Sequence, residues 1–322
     1  MAVYTKLSKV DLQEFLSKYN IGKLIDYKGI KEGIENTNYF IQSEKGKFIL
    51  TVYEKRVQEK DLPFFMGLMR NLYDKNFPSP EPIINKNGNY ITGILKKKAA
   101  LVSFLEGSSK EKLSPDNCYE IGIQTAKLHN ITQNLSLKRK NRLSVNSWRK
   151  MYTRVKKNCS KIHPNLDKII EKSLDKIEKN WPKNIPAGII HADLFSDNIF
   201  FQKDKITGII DFYFSCNDFL AFEIAICINA LCFEGKKQNL SFNVTKAKKF
   251  IDGYNSIKKI SSSEKDSLKI LCQGAAMRFL LTRVFDYLNL TKGALVKIKD
   301  PVEYLKRLEF HNSINNYEDY FF

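Results

Sequence analysis

The 322-residue sequence has few glycines and prolines and lacks any long, uninterrupted apolar run. With 15 Gly and 9 Pro it cannot be collagen-like or dominated by linkers, and 43% hydrophobic residues exclude a disordered chain. The most apolar stretch, 219–233, is 15 residues long and contains Glu223 and Asn229. A bilayer-spanning helix needs about 20 apolar residues, so we expect a globular protein of about two structural units.

Closely spaced cysteines that could hold a disulfide or zinc are also missing. The six cysteines are widely spaced without a C-x-x-C pair, and three of them lie in apolar surroundings. This pattern favours small buried side chains in a reducing compartment. The N-terminal stretch MAVYTKLSKVDLQEFL lacks the apolar core and cleavage site of a signal peptide, so we predict a cytoplasmic location.

Arginine and acidic residues are scarce relative to lysine. The chain has 53 Lys and Arg against 35 Asp and Glu, a net charge of +18, and only nine of the basic residues are Arg. Recognition of bases and phosphates favours the planar, bidentate Arg side chain. We therefore expect a solvated basic surface, no nucleic-acid partner and no membrane partner, and the oligomeric state stays open.

Residues 1–105 predict a small lobe built on a β-sheet, because short β-prone stretches such as NYFIQ and KFILTVY alternate with amphipathic segments. The predicted elements are a helix at 8–20, a hairpin between 24 and 55, a helix at 61–73 and strands at 90–95 and 99–105. A polar loop, EGSS, then marks a boundary. We expect this lobe to bind a nucleotide.

Residues 106–322 predict a larger, mainly helical lobe that carries catalysis and substrate binding. Its predicted helices span 114–130, about 146–157, 165–180, 218–233, 244–257, 264–288 and 301–311. The whole chain is therefore expected to be α+β, with a small sheet lobe followed by a helical one.

The exception to the helical pattern is residues 189–214, IIHADLFSDNIFFQKDKITGIIDFYF. Two apolar stretches joined by residues 202–205 predict a hairpin whose centre lies between residues 204 and 205. This register places Asn198 directly opposite Asp211. Opposed residues lie about 4.5–5.5 Å apart between Cα atoms, so an amide oxygen and a carboxylate could share one Mg²⁺.

Asp193 lies five residues before Asn198, on the loop that enters the hairpin. The pattern H-x-D-L-x-x-x-N matches the catalytic loop of kinases, in which the Asp accepts the proton of the attacking hydroxyl. Only about 0.02 matches to H-x-D-x₄-N are expected by chance in a chain of this composition. Asp193 is the predicted catalytic residue, and His191 is predicted to brace the loop. The alternative is that these acids are ordinary loop and strand-end residues.

Candidate nucleotide contacts are less specific. The segment 28–38, KGIKEGIENTN, is a candidate phosphate cover and contributes Gly29, Gly33, Asn36 and Asn38. A second candidate is the crossing between the lobes, where Ser103, Phe104 and Leu105 could present backbone groups to an adenine edge. A plain turn and a plain core strand are the respective alternatives.

At these residues the sequence resembles the aminoglycoside phosphotransferase and choline kinase superfamily. Segments along nearly the whole chain, among them HADLFSDNIFF, IDFYFSCNDFLAFEIAICINA and RFLLTRVFDYL, resemble the homoserine kinases within it. The resemblance implies a protein-kinase-like two-lobe fold and ATP-dependent, Mg²⁺-supported phosphorylation of the side-chain hydroxyl of L-homoserine. It assigns catalysis to Asp193 and the metal to Asn198 and Asp211.

The sequence departs from the superfamily pattern at two positions. FILTVYEKR places Thr51 where the superfamily usually has a Lys or Arg for the α- and β-phosphates, and Lys55 lies about 13 Å further along the strand at ~3.3 Å per residue. Tyr213, not Gly, follows Asp211 and Phe212.

Four residues are candidates for substrate binding, together with Asp193. Arg278 and Arg283 lie in the apolar helix GAAMRFLLTRVFDYL, where a buried cation needs an anion, so one of them could bind a substrate carboxylate. Asp218 and Glu223 could bind an ammonium group. The alternatives are structural ion pairs within this set or with Asp286, and a bracing role beneath the catalytic loop.

Two further functions remain open at this point. One is a kinase of the same superfamily that acts on another small alcohol, such as choline, methylthioribose or an aminoglycoside. The other is a non-catalytic protein that binds a nucleotide or nucleic acid.

Overall fold

A five-stranded antiparallel sheet forms the N-terminal part of the protein, as seen in a computed structural model that describes residues 5–30, 36–54, 57–235, 239–289 and 299–321. Its strands are β1 (Leu24–Ile30), β2 (Thr37–Ser43), β3 (Gly46–Val52), β4 (Ile91–Ile94) and β5 (Lys97–Ser103). Their order across the sheet is β1-β2-β3-β5-β4. Short turns at Glu44–Lys45 and Leu95–Lys96 connect neighbouring strands, so most of the pairing is local.

The outer face of this sheet packs against helix α1 (Lys9–Leu16). Ser8 caps α1, because its hydroxyl accepts the N–H of Asp11 while the Asp11 carboxylate accepts the N–H of Ser8. Leu12 and Leu16 then pack with Leu50 and other apolar residues of the outer face in a separate small core.

The inner face of the sheet joins the main core of the molecule. Tyr53, Ala100 and Val102 on this face belong to the same buried cluster as helix α2 (Leu62–Asp74) and the C-terminal helices. The period-two alternation of β3 and β5 therefore divides their side chains between two cores.

The C-terminal part is mainly helical. Its helices are α3 (Pro115–Thr132), α4 (Val145–Val155), α5 (Leu166–Asn180), α6 (Leu220–Leu231), α7 (Val244–Ile257), α8 (Ser262–Leu288) and α9 (Val302–Ser313). Helix α6 is buried around nearly its whole circumference. Within the described ranges, no helix combines the length and apolar character that crossing a bilayer requires.

Short strands lie between these helices along the chain. They are β6 (Ser108–Ser109), β7 (Ala187–Ile190), β8 (Ile199–Gln202), β9 (Lys205–Ile209), β10 (Cys216–Phe219), β11 (Phe233–Glu234) and β12 (Ser241–Phe242). They pair as β6-β8-β9, β7-β10 and β11-β12. The β8–β9 hairpin carries the segment that the sequence singled out.

The predicted α+β architecture is confirmed, and each predicted helix begins and ends within a few residues of an observed one. Strand β1 was not predicted, because half-buried LIDYKGI lacks a clear alternation of apolar and polar residues. All six cysteines are buried free thiols, as their spacing indicated. The lobe boundary after residue 105 stays a prediction.

Candidate active site

A closed ring of four hydrogen bonds holds the loop before β8 against the end of β9. The N–H of Asp193 donates to His191 Nδ1 (3.2 Å), and Asn198 Nδ2 donates to the carbonyl of Asp193 (2.8 Å). The N–H of Ile210 donates to the carbonyl of Asn198 (3.0 Å), and His191 Nε2 donates to the carbonyl of Ile210 (2.9 Å). The ring fixes the backbone at Asp193 and Asn198 and immediately before Asp211.

His191 needs one specific protonation state to close this ring. Its Nδ1 accepts a hydrogen bond while its Nε2 donates one, which requires the neutral imidazole with the proton on Nε2. Burial lowers the pKa of His191 to about 4, so this neutral form predominates near pH 7. His191 therefore has the bracing role that its place in the motif predicts.

The predicted register of the hairpin is wrong by one residue. Gln202 pairs with Lys205, so the two-residue turn is Lys203–Asp204, one residue before the predicted centre, and a bulge between Phe200 and Phe201 then moves the pairing one residue back towards the predicted register. Asn198 consequently lies opposite Ile210 rather than Asp211.

Asp211 nevertheless follows directly at the end of the strand. Its backbone is left-handed (φ 64°), which turns the chain out of the ladder at this residue. The two predicted metal ligands therefore still lie at the same end of the hairpin.

The donor set at this end of the hairpin suits Mg²⁺. The Asn198 amide nitrogen is used in the bond to Asp193, which leaves its oxygen as the end that can coordinate a cation. An amide oxygen and the Asp211 carboxylate are hard ligands, and Mg²⁺ in kinases is usually completed by waters and substrate phosphates. The described part of the chain contains no group of three or more His, Cys, Asp or Glu side chains placed to bind a metal.

Two buried ionisable side chains clamp the peptide groups of Ala192, just before Asp193. Glu223 Oε2 accepts the N–H of Ala192 (2.9 Å), and Arg278 Nη1 donates to its carbonyl (2.6 Å). Ala192 has φ 65°, a left-handed conformation that costs a non-glycine residue roughly 1 kcal/mol or more. The clamp from α6 and α8 stabilises this conformation, and for Glu223 it matches the bracing role given above as the alternative to substrate binding.

The carboxylates predicted to bind an ammonium are engaged within the protein. Glu223 is 1% exposed, and burial raises its pKa to about 7. Asp218 Oδ2 accepts from Asn141 Nδ2 (2.6 Å), and its Oδ1 accepts from the N–H of Phe219 (2.8 Å). Both carboxylates are thus used as braces, and their predicted contacts with substrate stay untested.

Arg283 is also tied to a protein partner, although not to the partners considered from the sequence. Its Nη1 lies 2.9 Å from Glu303 Oε2 and 3.0 Å from the carbonyl of Asp300. These contacts join α8 to α9. Arg278, in contrast, remains at the candidate site through its contact with Ala192.

The predicted phosphate cover is partly strand. Gly29 lies within β1, opposite Tyr39 on β2, and not in a loop, whereas Gly33 lies outside the described residues. Asn36 Oδ1 accepts the N–H of Glu54 (3.2 Å), and Asn38 Oδ1 accepts the hydroxyl of Thr51 (2.8 Å). The polar side chains near the tip of this hairpin therefore organise the end of β3.

Hydroxyl groups link the inner face of β3 to the segment after Asp211. The hydroxyl of Tyr53 donates to that of Tyr213 (3.3 Å), and their rings lie edge to face at 5.4 Å between centroids. Burial raises the pKa of Tyr213, while the nearby hydroxyls of Tyr53 and Thr51 act to lower it. The two departures from the superfamily pattern, Thr51 and Tyr213, thus lie near each other, while Lys55 lies outside the described residues.

The crossing between the two parts offers fewer free backbone groups than predicted. Ser103 pairs with Glu81 through its N–H and its hydroxyl (both 2.8 Å), and the N–H of Phe104 donates to the carbonyl of Lys47 (3.1 Å). The N–H groups of Ser103 and Phe104 are thus used within the protein, and the adenine contact at Ser103, Phe104 and Leu105 stays a prediction.

Arg139 braces the segment after Asp211 from a second side, a role that no sequence pattern indicated. Its Nη1 donates to the carbonyls of Phe214 (3.2 Å) and Ser215 (2.8 Å), while its Nε lies 2.8 Å from Asp61 Oδ2. Asp61 directly precedes α2. An Arg in the basic stretch 138–142 looks like a surface residue, so only the fold revealed this contact.

The sequence of this chain is similar to those of a phosphotransferase family and of proteins named homoserine kinase. A model of the phosphotransferase enzyme family matches residues 26–242. A homoserine kinase from Xanthobacter autotrophicus is 45% identical over 320 residues, which cover 99% of each chain. A homoserine kinase from Agrobacterium fabrum is 43% identical over 320 residues, which cover 99% of this chain and 98% of the relative.

Solved structures share the fold at low sequence identity. The amicoumacin kinase hAmiN, in complex with AMP-PNP, Ca²⁺ and Ami, aligns with a TM-score of 0.71 and 12% identity over 97% of this chain and 95% of its own. A choline kinase from Cryptosporidium parvum aligns with a TM-score of 0.63 and 15% identity over 89% and 88% of the two chains.

The small sheet, the helical part and the loop around Asp193 together define a two-lobe kinase of the phosphotransferase enzyme family. Within this class, the chain belongs to the homoserine kinase family, because relatives of that name are well above 30% identical over nearly its full length. The family resemblance found in the sequence is therefore confirmed.

Proposed function

We propose that the protein catalyses ATP-dependent phosphorylation of the side-chain hydroxyl of L-homoserine, giving O-phospho-L-homoserine and ADP. This step belongs to threonine biosynthesis. Membership of the homoserine kinase family supports the reaction, and ATP is the phosphoryl donor of kinases of this class. The observation that carries the proposal is the ring of hydrogen bonds that joins Asp193, Asn198 and the end of β9.

Asp193 is the residue that accepts the proton of the attacking hydroxyl. The ring and the clamp at Ala192 hold the backbone on which its carboxylate is mounted, so little reorganisation is needed at the moment of transfer. In phosphoryl transfer, positioning and charge neutralisation supply most of the rate enhancement.

Asn198 and Asp211 would hold Mg²⁺ through their side-chain oxygens. When bound, the metal neutralises charge on the phosphates of ATP. Three hydroxyl groups lie near Asp211 on the side of the sheet, those of Thr51, Tyr53 and Tyr213. They would hold the segment that follows Asp211 next to the end of β3, where we expect the nucleotide to bind.

A screen of ADP release over several alcohols tests the proposed substrate. The purified protein, with MgATP, is offered L-homoserine, L-serine, L-threonine, choline and methylthioribose in separate reactions. We expect turnover to be fastest with L-homoserine, with phosphohomoserine identified by mass spectrometry. Efficient turnover of choline or methylthioribose without turnover of L-homoserine would assign the protein to another small-alcohol kinase.

We further propose that the reaction takes place in the cytoplasm, where ATP and free thiols are maintained. Six buried free cysteines support this location. Nucleic-acid and membrane partners are not part of the proposed function.

A further inference from the structure

Tyr304 of α9 is a buried residue whose hydroxyl the reaction described above does not use. It is 0% exposed, and its oxygen has no hydrogen-bond partner among the described residues. An unsatisfied buried hydroxyl costs roughly 1–3 kcal/mol, so proteins seldom keep one without a reason. The position of Tyr304 beside the candidate active site suggests the reason.

A row of aromatic rings connects Tyr304 with the loop that carries Asp193. The ring of Phe195, two residues after Asp193, lies 5.0 Å from that of Phe279, and Phe279 lies 5.2 Å from Tyr304. Burial raises the pKa of Tyr304, and among its charged neighbours the carboxylate of Asp193 acts in the same direction. Two ring contacts therefore connect Tyr304 to the loop that carries Asp193.

Guanidinium groups surround the phenol. Arg283 lies 4.4 Å and Arg307 4.6 Å from the centre of the Tyr304 ring. Both have protein partners: Arg283 pairs with Glu303, and Arg307 Nε donates to the carbonyl of Asn229 (2.9 Å). Their positive charges lie around the Tyr304 ring, but neither residue forms a hydrogen bond with the Tyr304 hydroxyl.

Arg278 supplies a second buried donor in the same neighbourhood. Its Nη1 is used at Ala192, but its Nε is buried and has no hydrogen-bond partner within the described ranges. Its guanidinium lies 4.6 Å from the centre of the Phe279 ring, and Phe279 also contacts Tyr304. Because a guanidinium N–H can only donate and a phenol O–H donates readily, an acceptor that is preferably anionic would satisfy both groups.

We propose that the Tyr304 hydroxyl, together with Arg278 Nε, binds the α-carboxylate of the amino-acid substrate and so distinguishes it from simple amino alcohols. The inference rests on the proposed function. In L-homoserine three carbon atoms separate the reacting hydroxyl from the carboxylate, so an anion site must lie close to Asp193. Tyr304 is then a specificity-determining residue, and Arg278 both braces the catalytic loop and contacts substrate.

The test is Tyr304→Phe, which removes only the hydroxyl. The variant is assayed for ADP release with L-homoserine and with 3-amino-1-propanol, which has the same amine and hydroxyl but no carboxylate. We expect kcat/KM for L-homoserine to fall about 10- to 100-fold, mainly through KM, since a hydrogen bond to a charged group is lost. The KM for ATP and the activity with 3-amino-1-propanol should be unchanged.

Thermal unfolding separates this role from a structural one. The Tm of Tyr304→Phe should equal or exceed that of the wild type, because the lost hydroxyl has no partner in the protein. Tyr254→Phe is the matched control: its hydroxyl is bonded to His129 Nδ1 (2.8 Å), so its Tm should fall while the KM for L-homoserine stays the same.

The outcomes distinguish failure of this inference from failure of the proposed function. Unchanged kinetics with L-homoserine in Tyr304→Phe, or an equal loss with both substrates, would overturn the carboxylate site alone. A wild-type protein that turns over 3-amino-1-propanol as efficiently as L-homoserine would also overturn it. A wild-type protein that releases no ADP with L-homoserine would overturn the proposed function and this site together.

Discussion

The two sides of the candidate active site are built from different kinds of contact. On the helical side, two ionisable residues that are 1% and 2% exposed, Glu223 and Arg278, hold the N–H and the carbonyl of Ala192 in the catalytic loop, and a closed hydrogen-bond ring fixes the next residues. On the sheet side, neutral hydroxyls meet between the end of β3 and the segment after Asp211, with 3.3 Å between the oxygens of Tyr53 and Tyr213. The first arrangement holds the reacting groups rigidly, while the second is a weak link between lobes.

This difference follows from what each side must do. Hydrogen bonds to charged groups in a buried setting are strong, and a group left there without its partner is costly, so the helical side has one stable arrangement. Neutral hydrogen bonds contribute about 1 kcal/mol each, so contacts with a bound nucleotide can replace them. We expect substitutions on the helical side to have the larger effects.

The largest effect is expected for Asp193→Asn, which keeps the shape of the side chain but cannot accept the proton. The kcat should fall by about 10³-fold or more, since general base catalysis contributes typically 10²- to 10⁴-fold. ATP binding, measured by calorimetry, should be retained. Asp204→Asn, in the exposed turn of the same hairpin, is the control and should behave like the wild type. Near-normal turnover of Asp193→Asn would remove this residue from its role.

The second-largest effect is expected for Glu223, whose titration changes the free energy of unfolding with pH. Its pKa is about 7 in the folded protein against 4.5 for an exposed Glu, so the folded state keeps a proton that the unfolded state has lost. The stabilising contribution of this group is therefore present below pH 4.5 and disappears as the pH rises to 7. We expect Glu223→Gln to gain stability relative to the wild type between pH 5 and 7, by on the order of 3 kcal/mol.

Urea denaturation of both proteins from pH 5 to 8 measures this difference, and parallel curves would contradict it. Glu54, on the sheet side, is a control whose pKa is shifted in the opposite direction. Burial acts to raise its pKa, but hydrogen bonds from Lys97, Thr5 and Thr37 lower it overall. Glu54→Gln should therefore lose stability near pH 7, and this loss should shrink as the solution becomes acidic.

A smaller effect is expected for Tyr213→Phe, which breaks the hydroxyl contacts between the lobes. The KM for MgATP should rise about 3- to 10-fold, in keeping with one neutral hydrogen bond, while kcat changes little. Tyr53→Phe and the double variant complete a cycle in which the two changes should not add, because the residues share one contact. Fully additive effects would show that the two hydroxyls act independently.

The smallest effect is expected for Glu106→Gln at the surface of the crossing. Its carboxylate lies 2.9 Å from Lys47, but the two side chains are 60% and 47% exposed. Exposed pairs contribute about 0–1 kcal/mol, so both Tm and KM for ATP should remain close to the wild-type values. A loss comparable to that of Tyr213→Phe would show that this pair, too, organises the crossing.

Sequence spacing predicted the catalytic loop of the candidate site well but missed residues that reach the site from distant elements. The motif around Asp193 and Asn198 is compact, so its geometry follows from a short loop and one hairpin, and the error was confined to the register. The error arose because the turn is Lys203–Asp204, one residue earlier than predicted, and the bulge between Phe200 and Phe201 only partly offset it. Tyr304 and Arg139 were missed because an aromatic residue in an amphipathic helix and a cation in a basic loop look ordinary until distant elements pack against them.

The order of residues along the chain already determined the lobe architecture, the family and the acids around the hairpin, because these depend on local periodicity and short spacings. Packing between elements far apart in the chain decided the rest. Glu223 and Arg278 became braces of one left-handed residue, Ala192, and Tyr304 came to lie near the Asp193 loop although 111 positions separate Tyr304 from Asp193. Burial and charge at such positions depend on what surrounds them in space, and a linear pattern does not contain that information.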